Sequence, residues 1–275
     1  MPRPATSVQL YTVRDHLADL DGTLERLAGL GIRSVEPFSL YDRLTETATA
    51  LARHGLSAPT AHAPFLSDDV EYEGRRVALP PLGMTLQAAR ALGVHALIDP
   101  MVPADRWQTA VDVDRTAERL NAAAAEAAAV GVRVGYHNHS FEFHHRIDGA
   151  TAYEHFVSRL DPAVVLEVDV YWAAMAGQDV PGLLERLGDR VVALHLKDGS
   201  SIRDPFRTSG YAAEELDQAP LGQGVLDIAG ILRSAPGVDY DVIEFDHVEG
   251  DVFAAIATSL DYLRAERSAG VPVTD

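Results

Sequence analysis

Short runs of apolar and β-branched residues alternate with longer stretches whose apolar positions recur every three or four residues, and the alternation repeats eight times. The short runs, bounded by turn-forming residues, predict strands at 7–10, 33–36, 57–62, 95–98, 133–139, 164–169, 191–197 and 241–244. The longer ones predict helices at 21–30, 45–54, 80–92, 113–130, 151–159, 181–187, 227–234 and 252–267. Gly31, Gly55, Gly93, Gly131 and Gly188 each follow a predicted helix, where glycine accepts the left-handed conformation of a helix stop at little cost. Strict β-α alternation predicts an α/β fold with parallel strands, and eight units predict a (β/α)8 TIM barrel. No linker breaks the pattern, so a single domain is expected over residues 1–275. The longest irregular stretch, 199–224, follows the seventh strand and is expected to act as a lid or substrate loop.

Composition narrows the function classes. Of the 275 residues, 47% are hydrophobic, ample for one sizeable core. The net charge of -18 repels polyanions and argues against a nucleic-acid partner. With no cysteine, any metal must be held by histidine and carboxylate. The opening MPRPATSVQLYTV lacks the apolar core of a signal peptide, and no run approaches the roughly 18 apolar residues of a membrane span. A cytoplasmic protein without a membrane partner is therefore expected, and self-association into a homo-oligomer is compatible with the sequence.

Barrel active sites lie at the C-terminal ends of the strands, and four predicted strands finish with polar pairs. These are His137 and His139, Glu167 and Asp169, His195 and Lys197, and Glu244 and Asp246. Positions i and i+2 of a strand share a face, so each pair points to one side. If that side is the barrel axis, several carboxylates, imidazoles and an ammonium share a small volume, which a divalent cation would stabilise. A mixed His/Asp/Glu shell suits Mn, Fe, Co, Ni or Zn more than Ca, with Mg also a candidate. Each residue alone could be satisfied by local hydrogen bonds, but four strands together make that reading weaker. Gln9, Tyr11, Glu36, His62 and Asp99, at or near other strand ends, would line a polyol-sized pocket. Trp172 is a candidate sugar-stacking platform or a core residue. Glu167, deeper than Asp169, reads as a partner orienting a histidine ligand.

The motifs VQLYTVRD, YHNHSFEF, LEVDVYW, ALHLKD, PLGQGVLD and VIEFD together resemble the xylose-isomerase-like sugar isomerase and epimerase barrels, which include inosose dehydratases and isomerases and 3-keto-glycoside lyases. The resemblance implies one divalent metal held by Glu, Asp, His and Glu from strands five to eight. Carried over, three of these fall on Asp169, His195 and Glu244. The fifth-strand position departs from the pattern, because His137 stands where the family has glutamate; Glu142 is the rival ligand or a substrate contact. The family's epimerases use the fifth- and eighth-strand glutamates as two bases, so His137 makes a symmetric two-base reaction less expected. Glu244 would remove the proton α to a carbonyl, with His137, His139 or Lys197 as further acid/base or electrostatic groups.

The expected function is thus a metal-dependent isomerase or epimerase acting on a keto sugar or related polyol through an enediolate. The alternative is a lyase or dehydratase performing β-elimination on a 3-keto glycoside or inosose. A phosphate site would need a basic cluster or a helix N-terminus, and Arg203 and Arg207 in the long loop are the only candidates the sequence offers, which favours non-phosphorylated substrates. A DNA-repair reading, by analogy with endonuclease IV, conflicts with the acidic charge. A catalytically silent sugar-binding barrel would show no metal requirement.

Overall fold

Eight parallel strands form a closed ring in the computed structural model, which describes residues 4–72, 75–201, 203–207 and 212–269. They are β1 (Ala5–Gln9), β2 (Ser34–Glu36), β3 (Thr60–His62), β4 (Ala96–Asp99), β5 (Arg133–His137), β6 (Val165–Asp169), β7 (Val191–Leu196) and β8 (Tyr240–Ile243). Ladder order runs β2-β1-β8-β7-β6-β5-β4-β3, and parallel bridges from Ser34 to Ser57 and from Phe38 to His62 close the ring. The chain is a TIM barrel. Around it lie α1 (Leu20–Gly29), α2 (Leu44–His54), α3 (Leu82–Ala91), α4 (Ala110–Ala128), α5 (Ala152–Arg159), α6 (Val170–Met175), α7 (Val180–Leu187), α8 (Ile228–Ser234) and α9 (Val252–Ala269). None of the described helices is long and apolar enough to cross a membrane.

The five glycines expected to stop helices all have positive φ; Gly55, at φ 65°, donates its amide to Leu51 O. Other elements differ from expectation for local reasons. Strand β3 starts at Thr60 rather than 57, because Pro59 has no amide to give a ladder. Helix α6 was not expected. It continues directly from β6 through an unbroken apolar run in which neither period stands out, and the Asp169 side chain caps it by accepting from Trp172 N. An antiparallel hairpin, Asp69–Tyr72 with Arg75–Ala78, rises from the connection after β3, where the sequence pattern predicts no element.

A main apolar cluster between strands and helices includes residues from Val8 to Leu263. A smaller cluster includes Ala96, Ile98, Val165, Ala193 and Val242. By strand alternation, Ala193 shares a face with His195, Val242 with Glu244, and Val165 with Glu167 and Asp169. The same strand faces that are apolar at depth thus become ionisable toward their C-terminal ends. Gly135, two residues before His137, sits where a Cβ would lie 2.4 Å from Val165 O and 2.9 Å from Ile98 Cδ1. The absence of a side chain there lets β5 and β6 approach beneath the polar layer.

Candidate metal centre

Strands β5 to β8 each deliver ionisable groups to the C-terminal mouth. His137 ends β5, Asp169 ends β6, His195 lies near the end of β7 and Glu244 follows β8; all four are buried. One donor atom from each lies within 4.8 Å of the others. Lys197, the only lysine of the chain, extends into the same layer. Its Nζ lies 2.8 Å from Glu244 Oε2, 2.8 Å from Asp246 Oδ2 and 3.1 Å from Asp169 Oδ2. Burial alone would strip its proton, but the three carboxylates outweigh burial and hold Lys197 well above its ordinary pKa.

A second layer lies deeper. Glu167 Oε1 accepts from His62 Nε2 at 2.5 Å and His137 Nδ1 at 3.1 Å, and faces His195 Nε2 at 3.0 Å. Glu36 Oε1 lies 2.7 Å from both Gln9 Nε2 and His195 Nε2. These bonds leave His137 Nε2 facing Asp169, at 3.8 Å, and His195 Nδ1 facing Glu244, at 2.7 Å. His62, His137, Glu167 and His195 also converge within 4.8 Å, but there Glu167 Oε1 is already saturated by imidazole nitrogens.

The upper group fits a divalent cation. It offers two imidazole nitrogens and two carboxylates, the mixed set that suits a transition metal. Asp169 Oδ2 is buried with no hydrogen bond and with the Lys197 ammonium, 3.1 Å away, as its nearest partner, an oxygen that a cation could take over. Burial, opposed by the Lys197 charge, raises the Asp169 pKa to about 6. Burial, together with the charge of His195, lowers that of His137 to about 3, so its imidazole is neutral and available as a ligand.

Above this layer opens a cavity of about 370 Å³. Among the expected substrate contacts, Gln9, Tyr11, His62 and His139 line it, as do His137, Lys197 and Glu244. Glu36 lies below the floor, bonded as described. Trp172, the candidate stacking platform, stands behind the wall: it is fully buried, with its ring 5.6 Å from that of His139 and 5.5 Å from that of Phe206. Arg207 is turned to Asp204 at 3.6 Å and does not line the cavity. Glu142 stands apart from the cation group, accepting from Tyr136 Oη at 2.9 Å and His139 N at 2.8 Å, and burial raises its pKa to about 8. Asp99, expected to line the pocket, instead accepts from the amides of Phe65, Leu66 and Met101.

Sequence reasoning missed Phe38, Ser39, Pro64, Pro100, Met101 and Phe206 in the lining. A signal existed for three of them. Phe38, Pro64 and Met101 each follow a strand-terminal residue by two positions, the spacing that relates Tyr11 to Gln9 and His139 to His137. Phe206 comes from the long loop, where no periodicity marks it.

A family model described as xylose isomerase-like TIM barrel matches residues 24–265. The chain belongs to that family. It is 26% identical over 224 residues, 80% of this chain and 74% of the other, to an Escherichia coli K12 protein named, provisionally, as an L-ribulose-5-phosphate 3-epimerase. A sugar phosphate isomerase/epimerase from Parabacteroides distasonis has the same fold, with a TM-score of 0.77 at 21% identity over 98% of this chain and 99% of that one. The IolI protein, solved with a zinc atom, matches with a TM-score of 0.71 at 16% identity over 98% of this chain and 100% of its own.

Proposed function

We propose that this protein is a divalent-metal-dependent isomerase or epimerase of a non-phosphorylated keto sugar or related polyol. The observation that carries the reading is the convergence of His137, Asp169, His195 and Glu244 within 4.8 Å at the floor of a sugar-sized cavity. The site fits a cation through these four residues, and a bound divalent ion there would supply Lewis-acid polarisation of a carbonyl. Glu244 is the proposed base. It lines the cavity, and the Lys197 charge beside it opposes burial and favours its ionised carboxylate. Lys197 stands 2.8 Å from Glu244, where its ammonium would stabilise negative charge developing on the substrate oxygen. His137 and His139 are neutral at physiological pH because burial lowers both pKa values, so neither carries an imidazolium proton to donate in the resting state. The names of the relatives support sugar isomerisation and epimerisation as the reaction class.

The absence of phosphate from the substrate rests on charge. Among the described residues, Lys197 is the one lysine or arginine lining the cavity, and three carboxylates surround it. Purified protein stripped of metal, then loaded with Mn²⁺, Zn²⁺ or Mg²⁺, should convert a member of a keto-sugar panel only when loaded. Ketose shift or inversion supports the isomerase. Release of an aglycone from a 3-keto glycoside would instead establish the lyase, and turnover without metal would overturn both.

A further inference from the structure

Lys197 divides its ammonium among three carboxylates, and two of them, Asp169 and Glu244, belong to the group that would hold a cation. An ammonium and a divalent ion compete for the same oxygens. With the ion in place, Asp246 is the carboxylate left to keep Lys197 where it stands. Gln218, a buried residue of the long loop, donates from Nε2 to Asp246 Oδ2 at 2.9 Å, the same oxygen that meets Lys197 Nζ. Its Oε1 accepts from the amides of Asp246 at 2.8 Å and His247 at 3.3 Å. One amide therefore grips both the carboxylate and the backbone of Asp246, while Arg14 donates to the Asp246 carbonyl oxygen at 2.8 Å.

The described part of the loop is built to keep Gln218 there. Asp198–Gly199 pairs with Gln218–Ala219 in an antiparallel ladder. The buried Asp198 carboxylate accepts from the amides of Gly199, Gly222, Gly224 and Leu226. Farther along, Asp204 accepts from Ser140 Oγ at 2.8 Å and meets His144 Nε2 at 2.6 Å, tying the segment that carries Phe206 to the turn after β5. Such a segment has several anchors to break before it could open.

We propose that Gln218 is a positioning residue: through Asp246 it fixes the place of the Lys197 ammonium in the cavity, making the described segment 212–224 a fixed arm of the site rather than a lid. The inference rests on Lys197 being part of the reacting site, as read above.

Because Lys197 is the only lysine, protein grown on lysine labelled with ¹⁵N at Nζ gives a single side-chain ammonium resonance. Wild type would be compared with Gln218→Met, which keeps length without hydrogen bonds, and with Gln218→Asn, which keeps the amide but shortens its reach. All would be loaded with Mg²⁺ or Zn²⁺. The expected result for Gln218→Met is a displaced resonance whose protons exchange with water about tenfold faster. Its kcat should fall about tenfold and its KM stay within about threefold. The melting temperature should stay within about 3 °C of wild type. An unmoved resonance in both variants overturns the proposal. A joint collapse of melting temperature, KM and kcat in both also overturns it, since that marks a purely structural residue. If no keto sugar is turned over, the resonance alone decides the coupling of Gln218 to Lys197, and the functional reading fails separately.

Discussion

Glu244 and Glu167 lie in one cluster yet should fail differently when neutralised. Glu244 lines the cavity and bonds to His195 Nδ1 and Lys197, whereas Glu167 lies beneath, engaged through Oε1 with three imidazoles. Glu244→Gln keeps size and packing but removes the base and one candidate ligand. Turnover should fall by roughly 10²–10⁴ or more with the melting temperature little changed; near-wild-type kcat would remove Glu244 as the base. Glu167→Gln leaves all four upper donors in place but loosens the tautomers and ring orientations of His137 and His195. Its expected effect is a 10–100-fold weaker metal affinity, the usual cost of losing such an orienting carboxylate. Calorimetric titration with Zn²⁺ checks it, and an affinity within about twofold of wild type would show that the imidazoles are oriented by other contacts.

The turn after β5 carries a pH dependence of its own. Burial raises Glu142 from its ordinary value of 4.5 to about 8, against the hydrogen bonds from His139 N and Tyr136 Oη. Since the folded state binds this proton more tightly than the unfolded state, its contribution is complete below about pH 4.5 and is lost as pH rises through about 8. For metal-free protein, wild type should lose on the order of 3–4 kcal/mol from this group between pH 5 and pH 8. Glu142→Gln should lack that decline, so denaturant titrations should show the variant gaining on wild type as pH rises; parallel curves would refute the assignment. Gly135→Ala, whose Cβ would meet Val165 O, should destabilise the β5–β6 seam by about 1–3 kcal/mol. These elements also show how far the sequence could be read. The β-α alternation and the helix-stopping glycines placed all eight barrel strands, because both signals are local. What escaped was set by tertiary context: the hairpin after β3 and α6 had no distinct period, and Glu142, read as a rival ligand, turns toward Tyr136 and the His139 amide instead. Trp172 was legible as an aromatic near the site, but only the packing of His139 and Phe206 in front of it shows that the ring faces core.

Charge across the whole molecule bears on which sugar enters. The chain carries a net charge of -18, while the cavity presents one ammonium surrounded by carboxylates. A relative's name carries a phosphorylated pentulose, so a phosphate subsite is a natural thing to seek. Arg14 is close to the mouth, stacked 4.3 Å over the Tyr11 ring, but it donates to the carbonyl oxygens of Tyr11 and Asp246. Arg207, on the loop, faces Asp204. A phosphate dianion would therefore meet a repulsive long-range field and no free guanidinium among these groups. A neutral ketose feels neither, so its kcat/KM should stay flat between about 20 and 500 mM salt, a range over which the Debye length shrinks from roughly 20 Å to a few ångströms. Its 5- or 6-phosphate should be a poorer substrate whose residual rate rises with salt as the repulsion is screened. The comparison needs only initial rates for one sugar in both forms at two ionic strengths. Preference for the phosphorylated form, with rates falling as salt is added, would mean that an attractive anion site exists and that the proposed substrate class is wrong.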